Sequence, residues 1–458
     1  MACLAYLAAT YAISIILLVA SLAEHAYRTR RDLSADDDTV LESSFAIPVS
    51  VLVPVYDEAG IIIHVIETLL AQEYPHYEII VINDGSADDT MAVMNRVFEL
   101  EPRSVFYRRV LDTAQVRCTY ASRRYPNLIV VDKEHGGKAD ALNCGVNLAR
   151  YRYVCMVDGD TLYERDALAN GMRAAQQDPA RVIGVTSAVA IRRDPEAERH
   201  LAAGDRRADV DPMTNFQLLE FFRSFLITRM GAGRWGFMLC AAGAFSLWRR
   251  DVLVELCGFS SEFTCEDIEF TFRAHEAFRR KRQPYRILAM GTIAGTTETP
   301  PSVRALILQR ARWHRVILET VWAYRYMLFN PKYGSVGMFG VPYYVASEVA
   351  APFFQALAIV AVALGALLGQ LDVRALQLLL ILALGNGILS NIALMLQDTH
   401  SRAYPIRDMA KLVLLGPLDL LLYRPLIFVA QTKGFVDFLR GDKGWHKHAR
   451  RARAEPAR

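Results

Sequence analysis

A rhythm between residues 49 and 157 restricts the fold of this chain more than any other feature. Four short, largely apolar runs lie there: Val49 to Val53, Tyr77 to Ile82, Leu128 to Val131 and Tyr153 to Val157. Each is bounded by turn-forming residues and followed by a stretch with helical spacing, the pattern of a buried strand leading into a helix. Strands and helices that alternate in this way predict an α/β domain with a parallel-dominated mixed sheet and helices on both faces. Ligands of such sheets bind beyond the carboxyl ends of the strands, and Asp84 and Asp158 each sit just past a run.

The rest of the chain is more apolar than a soluble protein of this size requires. Hydrophobic residues make up 53% of its 458 residues, and the mean hydropathy is +0.16. The excess is concentrated in a few segments. Cys3 to Ala23 carries no charge, and ~20 apolar residues suffice for a helix to cross a bilayer. Arg28, Arg30 and Arg31 follow and place the next domain in the cytoplasm. The lack of a basic residue ahead of the apolar stretch speaks for an anchor over a cleaved signal. Ala351 to Gly369 and Ala375 to Gln397 are also free of charge and predict a membrane hairpin. Leu412 to Ala430 holds Pro417, Asp419, Arg424 and Pro425, and charges within a span face protein or a water-filled path. The basic tail (Arg440, Lys443, Lys447, Arg450, Arg451, Arg453) favours the cytoplasm. That requires either a re-entrant last segment or a further span that includes Met338 to Ala350.

The expected organisation is an anchor over 1–24, an acidic linker over 25–47 and a cytosolic α/β domain over 48–315. Interfacial helices over 316–350, a transmembrane region over 351–432 and a basic tail over 433–458 complete it. Residues 103–126 and 192–212 read as surface insertions, and the aromatic helical stretch 214–236 as a helix packed on the sheet or lying at a membrane surface. A net charge of +3 gives no electrostatic case for a nucleic-acid partner. Seven cysteines without Cys-x-x-Cys spacing predict reduced structural thiols, with no zinc site or disulfide framework.

Several motifs carry chemistry. Asp57 and Glu58 close the first strand in Pro54-Val55-Tyr56-Asp57-Glu58, and Asp84 follows the second in Asn83-Asp84-Gly85-Ser86. A carboxylate at a strand end is an oriented acceptor for a uracil edge or a ribose, although Asp-Gly-Ser also begins helices. Asp158-Gly159-Asp160 sets two carboxylates one residue apart, which suits a magnesium or manganese ion on a diphosphate as well as a solvated acidic loop. Glu266-Asp267 and Gln309-Arg310-Ala311-Arg312-Trp313 follow. The tryptophan is either a stacking platform for a pyranose or a core residue.

Taken in order, Asp84, Lys138 in His135-Gly136-Gly137-Lys138, Asp158 and Asp160, Glu266-Asp267, and Gln309 with Arg312-Trp313 resemble inverting glycosyltransferase family 2. Within it they resemble the processive membrane synthases of cellulose, chitin, hyaluronan and poly-β-1,6-N-acetylglucosamine. The resemblance covers roughly residues 45–320. It implies a nucleotide-sugar domain of the GT-A type joined to transmembrane helices, and a Mg2+ or Mn2+ cofactor held by Asp158 and Asp160. It implies nucleotide contacts by Asp57, Glu58, Asp84, Lys138 and Asp158, with Asp84 on the uridine and Lys138 on the diphosphate. Asp267, beside Glu266, becomes the general base, while Gln309, Arg312 and Trp313, helped by Arg310, bind the leaving diphosphate and the acceptor sugar. One base and a cationic leaving-group site suffice for a single displacement, whereas a glycosidase sets two carboxylates across the bond.

Two departures stand out. Cys265 occupies the place where relatives of this architecture carry threonine, and Cys240-Ala241-Ala242-Gly243 the place of the Cys-Gly-Ser run of cellulose synthases. The second leans away from cellulose. The resemblance therefore implies a processive β-glycosyltransferase of the bacterial inner membrane with a cytoplasmic catalytic domain. Its donor is a UDP-hexose, with UDP-N-acetylglucosamine ahead of UDP-glucose, and its acceptor a growing polysaccharide moved across the bilayer with other subunits of an export system. The alternatives are a non-processive transferase acting on a lipid carrier and a silent scaffold of an export complex.

Overall fold

The structure, a computed structural model, describes residues 2–32, 46–191, 211–370, 372–401 and 405–442. Residues 33–45 of the expected linker, 192–210 of the second insertion and the tail from 443 lie outside the described residues. Packing divides the chain into two units. One is built from Ala26–Val189 and Met238–Glu298, the other from Met1–His25, Ala190–Phe237 and Thr299–Ala449, each taken over its described residues.

The first unit holds a ten-stranded sheet. Its strands are β1 (Val49–Val55), β2 (Tyr77–Asn83), β3 (Leu100–Pro102), β4 (Val116–Ser122), β5 (Leu128–Lys133) and β6 (Tyr153–Val157). The remainder are β7 (Leu162–Tyr163), β8 (Val182–Ile191), β9 (Phe245–Arg249) and β10 (Arg286–Thr297). The order is β3-β4-β5-β2-β1-β6-β9-β8-β10-β7. The four runs singled out in the sequence are β1, β2, β5 and β6, and these neighbours pair in parallel. Val51, Leu52, Val53 and Ile79 to Ile82 have no exposed surface. Strands covered on both faces read as continuous apolar runs, and each buried aliphatic side chain stabilises the core by roughly 1.5–3 kcal/mol.

Parallel pairing is confined to that centre. β4 runs antiparallel to β3 and β5, and β9 antiparallel to β6 and β8. The link from Ser122 to Leu128 is too short for a parallel crossover, so β5 must turn back on β4. Residues 116–122, expected within a surface insertion, are thus a strand near one edge.

Register decides where the chemistry lies. Val55 pairs with Asn83, and Asn83 with Asp132, while Leu52 of β1 pairs with Met156 of β6. The carboxyl ends of β1, β2, β5 and β6 therefore finish on one edge. Tyr56-Asp57-Glu58, Asp84, Glu134 to Lys138 and Asp158 leave from it.

The second unit is helical. The N-terminal helix Ala2–Asp32, which belongs to this unit up to His25, is tied down there by the ring of Tyr6 stacked on Phe354 and by Glu24, paired with Arg234 at 2.9 Å. Residues 211–237, which include the aromatic stretch 214–236 read as a helix on the sheet or at a membrane surface, belong to this unit as a helix over Pro212–Phe222 that continues as a π-helix over Arg223–Arg229. The helix Val303–Ala323 runs without a break through the expected boundary at 315.

Among the described residues one helix is long and apolar enough to cross a membrane, over Ala2–Arg30. Val336–Val349 with Ala351–Leu367, bent by 41°, and Ile406–Leu422 with Arg424–Arg440, bent by 48°, bring the count to three if each pair is one span. The second limb of the expected hairpin lies in helix Val373–Ser401, where Gly387–Leu396 forms a shorter apolar stretch. The last pair breaks at Tyr423, with Pro425 at the start of the next helix, while Pro417 stays inside the first.

Candidate active site

Lys133, at the end of β5, has no exposed surface, and its ammonium lies 2.6 Å from both Asp84 Oδ1 and Asp140 Oδ1. Burial opposes that charge, but the Asp140 and Asp84 carboxylates more than offset it and hold the lysine above its ordinary range. The amides of Gly136 and Gly137 donate to the two oxygens of Asp84 at 3.0 and 2.8 Å. Gly137 has φ +89°, a backbone state that a side chain rarely allows, and from it the helix Lys138–Leu148 begins. With only 3% of its surface exposed, Asp84 shapes the loop that delivers Lys138.

Asp57 serves a neighbouring turn. Its Oδ1 accepts from the Ala87 and Asp88 amides at 2.8 and 3.3 Å, and the Glu58 amide donates to Thr90 Oγ1 at 2.8 Å. Beside this turn the exposed rings of Tyr56 and His135 stand 4.7 Å apart. Sequence reasoning gave that pair no role, because spacing along the chain does not show that the two rings meet.

Lys138 is the pivot of the site. Its Nζ lies 2.8 Å from Asp158 Oδ1 and 2.8 Å from Glu266 Oε1. Burial disfavours the ammonium, but Asp158, Glu266 and Asp267 together raise it well above the ordinary lysine value. Glu266 is pushed up by burial and pulled back by Lys138.

Asp267 follows in the first turn of the helix Glu266–Arg280, where the positive end of the helix favours acidic side chains. Its Oδ2 accepts from the Gly243 amide at 2.8 Å, and its Oδ1 from the Ile268 amide at 2.7 Å and the Cys265 thiol at 2.9 Å. Cys265 thus keeps a donor directed at Asp267 despite its departure from threonine. The Cys240–Gly243 stretch is fixed by side chains in turn. The Ala241 amide donates to Thr271 Oγ1 at 3.2 Å and the Ala242 amide to Thr186 Oγ1 at 2.9 Å. A Cβ on Gly243 would fall 3.0 Å from Asp267 Oδ2 and 3.1 Å from Lys138 Nζ. All seven cysteines are free thiols.

Asp158 and Asp160 crowd one place. Burial first, and then the Asp158 charge, push the Asp160 carboxyl up to about 6, with Lys138 offsetting only part of this. Two hard oxygen donors in a spot short of positive charge fit Mg2+ or Mn2+. Among the described residues no group of three or more His, Cys, Asp or Glu is placed to hold a metal.

Gln309, Arg310, Arg312 and Trp313 lie on the helix Val303–Ala323 in the helical unit. Arg310, the expected helper on the acceptor and diphosphate, is 5% exposed and pairs with Glu220 at 2.7 Å. Arg312 is half-buried, and Trp313 keeps 37% of its surface exposed. The sheet unit alone brings together Asp84, Lys138, Asp158, Asp160, Glu266 and Asp267.

Known proteins resemble this arrangement. The profile of Glycosyl transferase family 2 matches residues 50–256. The poly-beta-1,6-N-acetyl-D-glucosamine synthase of Staphylococcus aureus (strain MSSA476) is 26% identical over 276 residues, which cover 59% of this chain and 56% of that protein. The synthase of the same name from Staphylococcus epidermidis is 24% identical over 281 residues, 60% of this chain and 57% of its own length. The match thus spans little more than half of these relatives. Among solved structures, the mannosyltransferase PcManGT from Pyrobaculum calidifontis, in complex with GDP-Man and Mn2+, is 19% identical with a TM-score of 0.55. It covers 94% of this chain and 99% of its own. At that identity the likeness bears on the fold alone.

Proposed function

We propose that this chain, whose residues 50–256 match the profile of Glycosyl transferase family 2, is an inverting, processive β-glycosyltransferase using UDP-N-acetylglucosamine. The observation that carries the reading is the convergence of Asp158, Glu266 and Asp267 around the single ammonium of Lys138. Lys138 would face a diphosphate whose charge a divalent ion on the surplus carboxylates would offset. The names of the relatives, polymer synthases of N-acetylglucosamine, favour that sugar over glucose.

In this reading the acceptor hydroxyl attacks the anomeric carbon of the donor while Asp267 takes its proton. The bond from that carbon to the diphosphate oxygen breaks, UDP leaves with the electron pair, and the configuration inverts. The Gly243 amide and the Cys265 thiol hold Asp267 in a fixed direction. Lys138 faces the charge gathering on the diphosphate, and Asp84 with Lys133 keeps its loop in place. Asp57, Glu58 and Asp158 border the nucleotide. A divalent ion on Asp158 and Asp160 would supply further charge stabilisation to the departing diphosphate. Gln309, Arg312 and Trp313 serve the acceptor and the leaving group, and the helical unit lodges the enzyme in the bacterial inner membrane beside partners that export the polymer.

Membranes carrying the protein, incubated with each radiolabelled UDP-sugar and GDP-mannose and with Mg2+ or Mn2+, test this directly. UDP-N-acetylglucosamine is expected to enter a product of high molecular mass. Failure of every UDP-sugar to be hydrolysed or incorporated with either metal would overturn the reading.

A further inference from the structure

Arg310 is the second residue of the Gln309–Trp313 motif, yet it is buried in the helical unit. Its Nη2 lies 2.7 Å from Glu220 Oε2 and 3.2 Å from the Tyr423 hydroxyl, which itself donates to the same Glu220 oxygen at 2.7 Å. The three partners come from three places: the helix Pro212–Phe222, the helix Val303–Ala323, and the break between helices Ile406–Leu422 and Arg424–Arg440. Tyr423 has no exposed surface, and its ring stacks on Phe216 at 5.8 Å with 18° between the planes. The guanidinium so held lies 4.1 Å from the centre of the Trp313 ring, close enough for a cation–π contact. Phe221 flanks both, at 5.6 Å from the guanidinium and 6.2 Å from the indole.

The Arg310 guanidinium meets one carboxylate, one phenol and, at 3.4 Å, the Gln309 amide oxygen, and turns its flat group against a tryptophan that remains 37% exposed. A buried pair of this kind contributes little net stability compared with an apolar packing of the same volume, so its worth lies in fixing a geometry. We propose that Glu220 and Tyr423 are positioning residues which lock Arg310 against Trp313 and so preset the indole for a pyranose ring of the acceptor. The inference rests on the acceptor role given to Trp313 above. It adds two residues that belong to no sequence motif and act through Arg310 rather than on the sugar.

Preset orientation matters for binding because an indole free to turn must be ordered by each incoming sugar. Loss of the lock therefore falls on acceptor binding. Neither Glu220 nor Tyr423 is assigned a donor contact, so donor KM serves as the control. The ion pair and the phenol also respond differently to substitution. Glu220→Gln leaves a buried guanidinium without its counter-charge, whereas Tyr423→Phe keeps the ion pair and removes one hydroxyl.

The test uses the full chain in membranes, with UDP-N-acetylglucosamine as donor and a short β-linked N-acetylglucosamine oligosaccharide as acceptor. Glu220→Gln and Tyr423→Phe are each expected to raise the acceptor KM, the first roughly tenfold and the second severalfold. Donor KM and the slow hydrolysis of donor by water stay as in the parent. In the Trp313→Ala background neither substitution adds further to the acceptor KM, because the group they position is gone. If Glu220→Gln does not accumulate as folded protein, Tyr423→Phe carries the comparison alone. Unchanged acceptor KM in these variants, or effects that add fully to Trp313→Ala, would overturn the inference and leave the acceptor role of Trp313 standing. An unchanged acceptor KM in Trp313→Ala alone would instead remove that role, and this inference with it.

Discussion

Lys138 and Glu266 form an ion pair at 2.8 Å between the start of one helix and the start of another, with only 6% of the glutamate side chain exposed. Removing the ammonium leaves Glu266 buried without a counter-charge, which costs about 3–5 kcal/mol when nothing compensates. The partial exposure of Asp158, the other partner of Lys138, places the expected loss at the lower end of that range. Lys138→Met should therefore lower the melting temperature and cut kcat at least a hundredfold on the order expected for a lost transition-state cation. Lys138→Arg should retain most of the stability and less of the rate. Calorimetry beside donor turnover checks both, and a stable, fully active Lys138→Met protein would refute the role.

Gly243 offers a cleaner probe of Asp267. A methyl group there meets Asp267 Oδ2 at 3.0 Å and Lys138 Nζ at 3.1 Å, both at the ends of side chains that can move. Gly243→Ala should consequently fold, shift the carboxylate by a few tenths of an ångström, and lower kcat roughly tenfold to a hundredfold. Donor KM should change less. Steady-state kinetics separate the two, and an unchanged kcat would show that Asp267 tolerates displacement and so is not the base.

The thiol of Cys265 donates to Asp267 Oδ1, so a hydroxyl can take its place. Cys265→Ser and Cys265→Thr should keep kcat within about threefold, while Cys265→Ala loses the donor and about fivefold in rate, the equivalent of one ordinary hydrogen bond. Burial and the neighbouring Asp267 push this thiol well above its usual range, whereas Cys257 is exposed. Alkylation at neutral pH should thus mark Cys257 well before Cys265, as mass spectrometry would reveal.

These three predictions depend on contacts with unequal visibility in the sequence. The parallel core was readable because β1, β2, β5 and β6 are buried on both faces and short, and turn residues set them off. β4 was not, since Val116 to Ser122 carries Arg117 and half-buried positions that blur any strand period. The acidic residues at strand ends were readable as chemistry, but their partners were not. Asp84 meets Lys133 across 49 residues, and Arg310 meets Glu220 and Tyr423 across 90 and 113. Spacing along a chain reports period and turns. It does not report which distant cation a carboxylate has taken, and that decides whether the carboxylate remains for a ligand.

Lys133 illustrates the consequence for stability. With no exposed surface and two carboxylates at 2.6 Å, its replacement by methionine takes the shared ammonium from Asp84 and Asp140 and leaves them with amide donors such as Gly136, Gly137 and Ala114. The expected loss is about 3–5 kcal/mol, enough to unfold many domains. Asp84→Asn should cost less and act differently, by loosening the Gly136–Gly137 loop and raising donor KM through Lys138. Chemical denaturation distinguishes the first effect, and donor kinetics the second. A donor KM left unchanged by Asp84→Asn would mean that the loop holds its shape without the carboxylate.

His275 links the sheet unit to pH. It is 1% exposed; its Nε2 lies 2.7 Å from the Met238 carbonyl and its Nδ1 2.6 Å from the Tyr285 hydroxyl. A carbonyl only accepts, so Nε2 carries the hydrogen and Nδ1 accepts from the phenol, which describes a neutral ring. Burial lowers its pKa from 6.5 to about 4. The unfolded chain therefore binds a proton that the folded chain refuses between those values, and stability rises with pH across the window. The contribution is complete above pH 6.5 and disappears as the pH falls towards 4, by roughly 3 kcal/mol at most. Asp160, raised by burial, titrates in the opposite sense, so the total profile alone does not isolate the histidine. The difference from His275→Gln does, because glutamine can still donate to Met238 and accept from Tyr285 but does not titrate. Melting temperatures from pH 4.5 to 7.5 should fall more steeply in the parent than in His275→Gln below pH 6.5. Parallel profiles would show that the ring is already charged in the folded protein.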